Sequence, residues 1–489
     1  IPKRDWSSDV CSSDLLVQIS FAGKWAWDLY LFRNLKERNT MEVLFWGTRG
    51  SLPSAVTAET IKKKIKSSLS IALEKKLTSY DDLDRFVENH LPFSVSSGYG
   101  CNTSCVEIIG GKESVICDAG SGLRDYGTWV MKNPGEKANQ SGQVFNIFLS
   151  HLHWDHIHGF PFFTPAYIPG NTVNIFGFHE NIEEMFKKQQ AEPCFPVPLE
   201  ALAATINFTT LDLEKEHNIA GFKVSGIEQN HPGKSYGYAF EQNNRKIIYS
   251  TDAEHKMDKK HSDEFIRFCK DADVSINDAQ YQLFDAIEVK ENWGHSSNIV
   301  VTELSARSNV KQMCMFHHEP TCDDADLDKF LKDTREYLKL YDESSSLIID
   351  LAYDGMRITL EEEDLIEEKE KKAIQGMETF IEEKDDVLIF NLAGRMDGVT
   401  CMDLEESFPK HMDSGKKGFI LNMKSLDYIS SAGLRSVLLC NKMAAQANKQ
   451  FLICELNGMV MDVFKIAGFA SFMNLDFSLK QSLEKINES

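Results

Sequence analysis

The sequence predicts an α/β protein of two domains, and three observations support this class. Region 41–360 alternates short β-branched runs with turns and helical segments, as α/β domains do. A charged segment, residues 361–376, interrupts the pattern, and a second alternation of strands and helices fills residues 377–489. Of the 14 histidines, 13 lie between His90 and His318, so we expect histidine chemistry in the first domain only. A chain of 489 residues is long enough for two such domains.

The charge balance of the chain makes some classes of binding partner unfavourable. The chain has 74 acidic and 53 basic side chains, a net charge of −21. Polyanions are held mainly by Lys and Arg, so this balance disfavours nucleic acid and membrane surfaces as partners. The uncharged run 159–178 contains three prolines and cannot form a spanning helix. The 11 cysteines include no CxxC pair, which is typical of reduced thiols in a cytoplasmic protein.

The first 40 residues fit neither domain. Ile1–Leu15 repeats Ser-Ser-Asp and leads into nothing periodic, so we interpret it as a non-native leader. Residues 16–40 stay unassigned. Met41 begins a clean strand and is the expected native start.

Strands dominate region 41–360. The predicted strands are Val43–Trp46, Ser104–Ile109, Ser114–Cys117, Val144–Leu149, Thr172–Phe176, Lys223–Glu228, Tyr236–Phe240 and Lys246–Ser250. In residues 54–98 the apolar residues have helical rather than strand spacing, which predicts an inserted helical hairpin. Its first helix has an apolar residue every four positions, Ile61, Ile65, Leu69 and Leu73.

One motif suggests metal binding. His151-Leu152-His153-Trp154-Asp155-His156 offers four ligands directly after a predicted strand. Further candidates stand where other apolar runs end, or before a helix: His231, Asp252, His317 and His295. Imidazole and carboxylate suit Zn²⁺, Mn²⁺ or Fe.

At these residues the sequence resembles the metallo-β-lactamase-fold hydrolases, in particular their phosphodiesterase branch with ribonuclease Z and cyclic-nucleotide phosphodiesterases. Residues 45–51, 100–104 and 118–122 also look like that branch. The resemblance implies an αββα sandwich over residues 41–360. It places one metal on His151, His153 and His231, and a second on Asp155, His156 and His317, with Asp252 bridging. We prefer His317 to His318 because it directly follows the strand.

The same resemblance implies an activity. It suggests a phosphodiesterase with two divalent ions, zinc first and Mn or Fe as alternatives, that uses a hydroxide between the metals. Asp155 and His295 would be catalytic, with His295 donating a proton or clamping the phosphate; alternatively, His295 caps a helix. The predicted substrate-binding residues are Thr48, Arg49, Asn102 and Ser104, for which a structural turn role is the alternative. Asp118 and Asp278 look structural, and Phe160–Phe163 is either core or a base-stacking wall.

The second domain resembles STAS domains, the anti-sigma-factor-antagonist family. Asn391–Asp397 matches the family's opening strand and turn, and Asp427–Arg435 matches its signature loop. The resemblance implies a small α/β domain over residues 377–489 that binds a protein partner, an anti-sigma-type kinase or another regulator. It also makes Ser431 a phosphorylation site. The alternative is that Ser430 or Ser431 only caps the following helix.

The leading hypothesis is a cytoplasmic metal-dependent phosphodiesterase for a small phosphodiester such as a cyclic nucleotide, with a STAS domain for signalling. A thioester or lactone hydrolase on the same metals is one alternative. A regulatory protein that acts through STAS binding is another. A homodimer is left open.

Overall fold

The computed structural model describes residues 40–488, except 78, 80, 81, 112, 134–141, 257, 258, 361–376, 385 and 477. The predictions for residues 1–39 and for the charged segment 361–376 therefore lie outside the described residues.

Two seven-stranded sheets form the N-terminal unit. The first has the order β14-β1-β2-β3-β4-β5-β6 and the second the order β13-β12-β11-β10-β9-β8-β7. Strands β3 to β6 pair in parallel, as do β10 to β13, and the other pairs are antiparallel. The first sheet's strands are β1 Met41–Gly47, β2 Cys105–Ile109, β3 Ser114–Cys117, β4 Val144–Phe148, β5 Thr172–Gly177, β6 Thr205–Thr210 and β14 Arg357–Leu360. The second sheet's strands are β7 His217–Ile219, β8 Phe222–Gln229, β9 Ser235–Gln242, β10 Arg245–Ser250, β11 Val274–Asp278, β12 Gln312–Phe316 and β13 Ile348–Leu351.

The two sheets pack face to face around one apolar layer, which includes Phe45, Phe148, Tyr238 and Phe316. Helices cover the outer face of each sheet and bury a second layer there. The predicted αββα sandwich is therefore confirmed. Helices of this unit are α1 Ala58–Glu74, α2 Leu83–His90, α3 Phe93–Ser96, α4 Gly122–Lys132, α5 Trp154–Ile157, α6 Ile182–Gln189, α7 Lys259–Cys269, α8 Asn298–Arg307 and α9 Asp324–Tyr341.

The insertion forms helices where they were predicted, but its apolar spacing faces solvent. Helix α1 begins at the N-cap Thr57, whose side chain accepts a hydrogen bond from the Thr60 amide. It buries no residue, and the exposed fraction rises from 48% at Ile61 to 79% at Leu73. Lys64 anchors the helix through a 2.5 Å ion pair with Asp324.

A five-stranded sheet, ordered β15-β16-β17-β18-β19, forms the C-terminal unit. The predicted signature loop is partly strand, because β17 continues to Ile429, where it pairs with Met396 of β16. The elements are β15 Met377–Lys384, β16 Val387–Met396, α10 Cys401–Ser407, β17 Gly418–Ile429, α11 Ser431–Gln446, β18 Gln450–Cys454, α12 Gly458–Ile466, β19 Leu475–Asp476 and α13 Leu479–Glu488.

The two units share one apolar core. Side chains from α8 and α9 and side chains from the C-terminal sheet and its helices belong to the same buried cluster. Phe284 stacks on Phe472 with ring centroids 3.8 Å apart, and its amide donates to the Ala467 carbonyl at 3.1 Å. The C-terminal unit is therefore docked on the outer face of the second sheet.

No helix in the described part of the chain is long and apolar enough to cross a membrane. The ten cysteines that the structure describes are all free thiols.

Candidate metal centre

Polar side chains from both sheets meet at one edge of the sandwich. His151 follows β4, His231 follows β8, Asp252 follows β10 and His317 follows β12. Helix α5 begins directly after His153, and its single turn carries Asp155 and His156. The carboxyl ends of strands meet at such an edge, which explains why residues far apart in sequence converge.

The first group contains His151, His153 and His231, with one nitrogen of each within 4.8 Å of the others. Nδ1 of His153 lies 3.1 Å from Nε2 of His231. The other nitrogens are engaged: His231 Nδ1 donates to the Gly294 carbonyl at 2.8 Å, and His151 Nδ1 lies 3.0 Å from Ser150 Oγ. Burial lowers the pKa of His231 to about 4 and holds the pKa of His151 well below its ordinary value. Both rings are therefore neutral, the form that binds a metal.

The second group contains Asp155, His156, Asp252 and His317, all buried. Asp155 Oδ2 lies 3.2 Å from Nε2 of both His156 and His317. Burial opposes its charged form, but these two histidines hold the pKa of Asp155 well below its usual range. The group therefore keeps at least one carboxylate ionised.

Asp252 lies between the two groups. Its Oδ1 is 3.2 Å from His156 Nε2 and 3.3 Å from His317 Nε2. Its Oδ2 is 3.6 Å from His151 Nε2 and 3.7 Å from His231 Nε2. One carboxylate thus faces both groups, with one oxygen directed to each.

Two buried nitrogens of these groups lack a partner. Nε2 of His151 and Nε2 of His156 are buried without a hydrogen bond among the described residues. Buried polar atoms are normally paired, so unpaired ring nitrogens beside carboxylates suit cations. The donor set therefore fits divalent metal ions.

The buried carboxylate of Asp118 supports the second group. It accepts hydrogen bonds of 2.7 Å from the amide and hydroxyl of Ser150 and from the Tyr249 hydroxyl, and lies 2.7 Å from His156 Nδ1. This bond fixes the ring orientation of His156, the usual role of a carboxylate behind a ligating histidine.

His295 lies beside both groups and forms a further cluster of potential ligands with Asp252, Asp278 and His317. Its ring centroid is 4.9 Å from that of His317 and 5.1 Å from that of His231. Its Nδ1 lies 2.6 Å from Asp278. Burial opposes the charged form, but Asp278 raises the pKa of His295 to about 9. Ser297, not His295, caps α8, because its side chain accepts from the Val300 amide.

The backbone is strained at three residues of this edge. Asp118, Asp252 and His317 all adopt left-handed φ angles, of 61°, 50° and 61°. This region is disfavoured for residues other than glycine, and such strain concentrates at functional sites. The backbone therefore accepts a conformational cost to direct these three side chains.

Two family profiles match the chain. A profile described as "Beta-lactamase superfamily domain" matches residues 113–318, and one described as "STAS domain" matches residues 380–485. The chain therefore joins a domain similar to the β-lactamase superfamily to a STAS domain. The name hydrolase domain denotes residues 41–360, and the name STAS domain denotes residues 377–488.

The two domains have different relatives. The chain is 38% identical over 95 residues to BtrV of Bordetella bronchiseptica, which is named as an anti-sigma factor antagonist; the match covers 19% of this chain and 82% of BtrV. It is 23% identical over 252 residues to ribonuclease Z of Picrophilus torridus, covering 42% of this chain and 78% of that protein. Among solved structures, the metallo-β-lactamase fold protein YhfI from Bacillus subtilis aligns with a TM-score of 0.43 and 16% identity, over 65% of this chain and 99% of YhfI.

Three of the four predicted substrate-binding residues have engaged side chains. Thr48 donates to the Tyr99 carbonyl and to Asp354, at 3.0 and 3.1 Å. Arg49 is buried and donates to the carbonyls of Gly100, Glu319 and Cys322. Asn102 donates to Asp125 at 2.7 Å, whereas the buried Ser104 hydroxyl has no partner among the described residues. These contacts favour a structural role for Thr48, Arg49 and Asn102.

His318 and the aromatic stretch 160–163 both lie close to the ligand groups. His318 is next to His317 but donates from Nε2 to the Ala352 carbonyl at 2.6 Å, and it belongs to neither ligand group. In the aromatic stretch, Phe160 and Phe163 are fully buried, while Phe162 is exposed. These surroundings favour His317 as the ligand and a core role for Phe160 and Phe163.

The STAS domain begins α11 with two serines that have different roles. Ser430 is the N-cap, because its hydroxyl accepts from the Gly433 amide at 3.2 Å. Ser431 is buried and donates from its hydroxyl to Glu303 of the hydrolase domain at 2.7 Å. The predicted phosphorylation site therefore lies inside the interface between the domains.

Sequence reasoning missed several contributors. The Ser51 amide donates to Asp155 at 2.9 Å, and the Gly294 carbonyl orients His231. Backbone groups carry no residue-type signal, so no motif could reveal them. Asp354 accepts from the amides of Cys101 and Asn102. Glu303 also escaped notice, because it is one acid on a helix and its partner lies 128 residues away.

Proposed function

We propose that the hydrolase domain is a binuclear metal-dependent phosphodiesterase that acts on a small phosphodiester. The observation that carries this proposal is the position of Asp252, with one carboxylate oxygen near each ligand group. A carboxylate shared between two donor sets suits a site for two adjacent metal ions.

The proposed ligands are those that meet at the sheet edge. His151, His153 and His231 would hold one divalent ion, and Asp155, His156 and His317 the other, with Asp252 shared. Zinc is the first choice because imidazole and carboxylate donors suit it. When bound, such a pair of ions lowers the pKa of water toward neutrality and neutralises charge on a phosphate.

The chain's own residues supply orientation and a proton. Asp118 and the Gly294 carbonyl hold His156 and His231 through their second nitrogens, so the ring planes are fixed before any ligand binds. His295, held by Asp278, would donate a proton to the leaving oxygen. Thiols have a pKa of about 8.5, so a thiolate is stable enough to leave without being protonated. An alkoxide is far more basic and needs the proton. The Asp278–His295 pair therefore favours an oxygen ester over a thioester.

Charge favours a small substrate. The net charge of −21 opposes a long nucleic acid, which needs many basic contacts. Helix α1 carries a run of basic residues, Lys62, Lys63, Lys64 and Lys66, and Lys64 is already paired with Asp324. Several relatives of the hydrolase domain are nevertheless named ribonuclease Z, so RNA belongs in the substrate panel.

The test combines metal analysis with a substrate panel. Wild type and His153→Ala are compared on bis(p-nitrophenyl) phosphate, cyclic nucleotides, a short RNA, thioesters and lactones. We expect about two divalent ions per chain and turnover of phosphodiesters, both reduced in His153→Ala. His217→Ala is the matched control, because this histidine is outside both ligand groups. Two bound metals with activity on acyl substrates only would overturn the proposal, and no activity on any substrate would favour a regulatory protein.

For the STAS domain we propose a protein-binding role in signalling within the cytoplasm, where the free cysteines would stay reduced. Phosphorylation of Ser431 by an anti-sigma-type kinase remains a prediction. Mass spectrometry after incubation with such kinases tests it, and phosphate elsewhere or nowhere would contradict it.

A further inference from the structure

One half-buried glutamate joins the two domains. Glu303 lies on α8 of the hydrolase domain and reaches the first turn of α11 in the STAS domain. Its Oε1 accepts from the Ser431 amide at 2.9 Å, and its Oε2 accepts from the Ser431 hydroxyl at 2.7 Å. The Tyr337 hydroxyl donates to Oε1 as well and lies 3.2 Å from the Tyr428 hydroxyl. Ser431, Tyr337 and Tyr428 are all buried.

This contact is specific rather than incidental. Burial raises the pKa of Glu303, which means that the site penalises the charge. In compensation, the carboxylate lies at the N-terminus of a 16-residue helix, where free amides and the helix dipole favour an anion. Three donors converge on its two oxygens, so each hydrogen-bonding group is matched. A group of this kind tolerates the loss of a partner poorly, and an added negative charge worse.

The same helix leads to the candidate metal centre. Helix α8 begins after its N-cap Ser297, two residues beyond His295. Ser296 donates to the Ala253 carbonyl, one residue from Asp252, and its amide donates to Asp278 at 3.3 Å. Glu303 therefore sits one and a half turns along a helix whose start is tied to the His295 loop.

A cleft gives a second link between the STAS domain and this loop. His295, Ser296 and Ser297 line one side of a cavity of about 70 Å³, and Arg435 of α11 lines another. Arg435 lies four residues beyond Ser431, so one turn of α11 contributes both the bond to Glu303 and a wall of the cleft.

We propose that the docked STAS domain is a positioning element of the hydrolase, acting through the Ser431–Glu303 contact and α8 on the His295 loop. Negative charge at Ser431 would repel Glu303, loosen the interface around this contact and lower turnover. The catalytic part of this inference rests on the proposed function above, whereas the docking part does not.

A charge swap tests the contact. Ser431→Asp places a second carboxylate against Glu303, so we expect a loosened interface at this contact and a fall in kcat of about 10- to 100-fold, since small misplacement near a reacting group has effects of that size. Glu303→Gln in the same chain replaces the repelling charge with an amide that can donate to Asp at position 431. The double variant should therefore recover most of kcat, a result that a merely misfolded Ser431→Asp would not give.

Three readouts separate positioning from general damage. Hydrogen exchange of peptides 298–307 and 428–434 reports docking directly. The split between kcat and KM on bis(p-nitrophenyl) phosphate reports catalysis, with kcat expected to carry the change. Metal content should stay at the wild-type value. Lys442→Ala is the matched interface control, because its ion pair with Glu288 joins the same domains but is partly exposed.

The outcomes are distinct. Faster exchange and lower kcat in Ser431→Asp, both restored by Glu303→Gln, support the proposal. Unchanged exchange in Ser431→Asp overturns the docking role, and faster exchange with unchanged kcat overturns the positioning role. If the metal-loaded wild type turns over no phosphodiester, the proposed function fails, while the exchange experiment still decides the docking role.

Discussion

Nδ1 of His156 lies 2.7 Å from Oδ2 of Asp118, and both side chains are fully buried. The same carboxylate also receives three other hydrogen bonds, from Ser150 and Tyr249. Asp118 is thus held by four hydrogen bonds, so its role is to orient the proposed metal ligand His156 rather than to bind a metal itself. Because His156 belongs to the second ligand group only, Asp118 supports the two proposed metal positions unequally.

Asp118→Asn should therefore affect one metal more than the other. The amide keeps the size of the carboxylate but weakens the bond to His156, and partners of this kind change metal affinity by about 10- to 100-fold. We expect metal content measured by mass spectrometry to fall from about two to about one ion per chain at limiting metal. Asp125→Asn serves as control, and equal loss of both ions would contradict the assignment of His156 to the second group.

Replacing His295 with Gln should show whether it is a proton donor. Gln keeps a polar side chain but cannot transfer a proton, and loss of general acid catalysis costs about 10²- to 10⁴-fold. The loss should be small for phosphodiesters with a p-nitrophenolate leaving group and large for those with an alkyl alcohol. A plot of log kcat against leaving-group pKa should become steeper in the variant. The same slope in both proteins would instead indicate phosphate clamping.

Asp354 makes stability depend on pH. Burial raises the pKa of Asp354 to about 6, against about 3.9 in an unfolded chain. A raised folded-state pKa gives stability that is complete below about pH 4 and is lost as the pH rises through about 6. In Asp354→Asn the amide oxygen can accept from the amides of Cys101 and Asn102, and its NH₂ can donate to Thr48. Relative to wild type, the variant should therefore gain on the order of 2 kcal/mol between pH 4 and pH 7.

Chemical denaturation of both proteins across this pH range measures that gain. Asp125→Asn is the control, because interaction with Arg124 and Asn102 lowers the pKa of Asp125 despite its burial, so its contribution to stability changes only below about pH 4. Its stability relative to wild type should therefore stay constant between about pH 4 and pH 7. A flat difference for Asp354→Asn would mean that the buried carboxyl titrates normally.

The exposed apolar face of α1 should contribute little to stability. Ile65→Lys or Leu69→Lys should change the free energy of unfolding by no more than about 0.5 kcal/mol, as surface substitutions do. Phe86→Ala in the neighbouring α2 is the contrast, because that side chain is buried and such a truncation costs about 3–5 kcal/mol. Thermal unfolding compares the variants, and a large loss in Ile65→Lys would show that the face is covered in solution.

Much of the fold was predictable because its central strands carry a clear signal. All eight strands predicted in region 41–360 are present, with their ends displaced by two residues at most. Two of the strands that were missed, β6 and β11, have weaker patterns. Strand β6 is polar and mostly exposed, and β11 reads Val-Ser-Ile-Asn-Asp although every residue is buried. Its polar side chains are satisfied by tertiary contacts, such as Asp278 with His295, that no local pattern reveals.

In the candidate site, the potential metal ligands were predictable from the sequence, whereas the substrate-binding residues were not. The ligand candidates share a local rule, a polar side chain where an apolar strand ends, and the structure brings all seven together. The substrate-binding candidates rested on loops, where residue type does not reveal which groups are already bonded; Arg49 is one example, with its guanidinium turned to backbone carbonyls. The interface at Ser431 depended on the docking of two domains, which is a property of neither sequence alone.

The stacking of Phe284 on Phe472 and the apolar cluster around it have a consequence for how this chain can evolve. A STAS domain with its own complete core could be transferred between proteins as an independent unit. Here the two domains share one apolar core, so deletion of either domain would expose a large apolar surface on the remaining one. Substitutions on one side of this interface should therefore require compensating substitutions on the other side to keep the shared core packed.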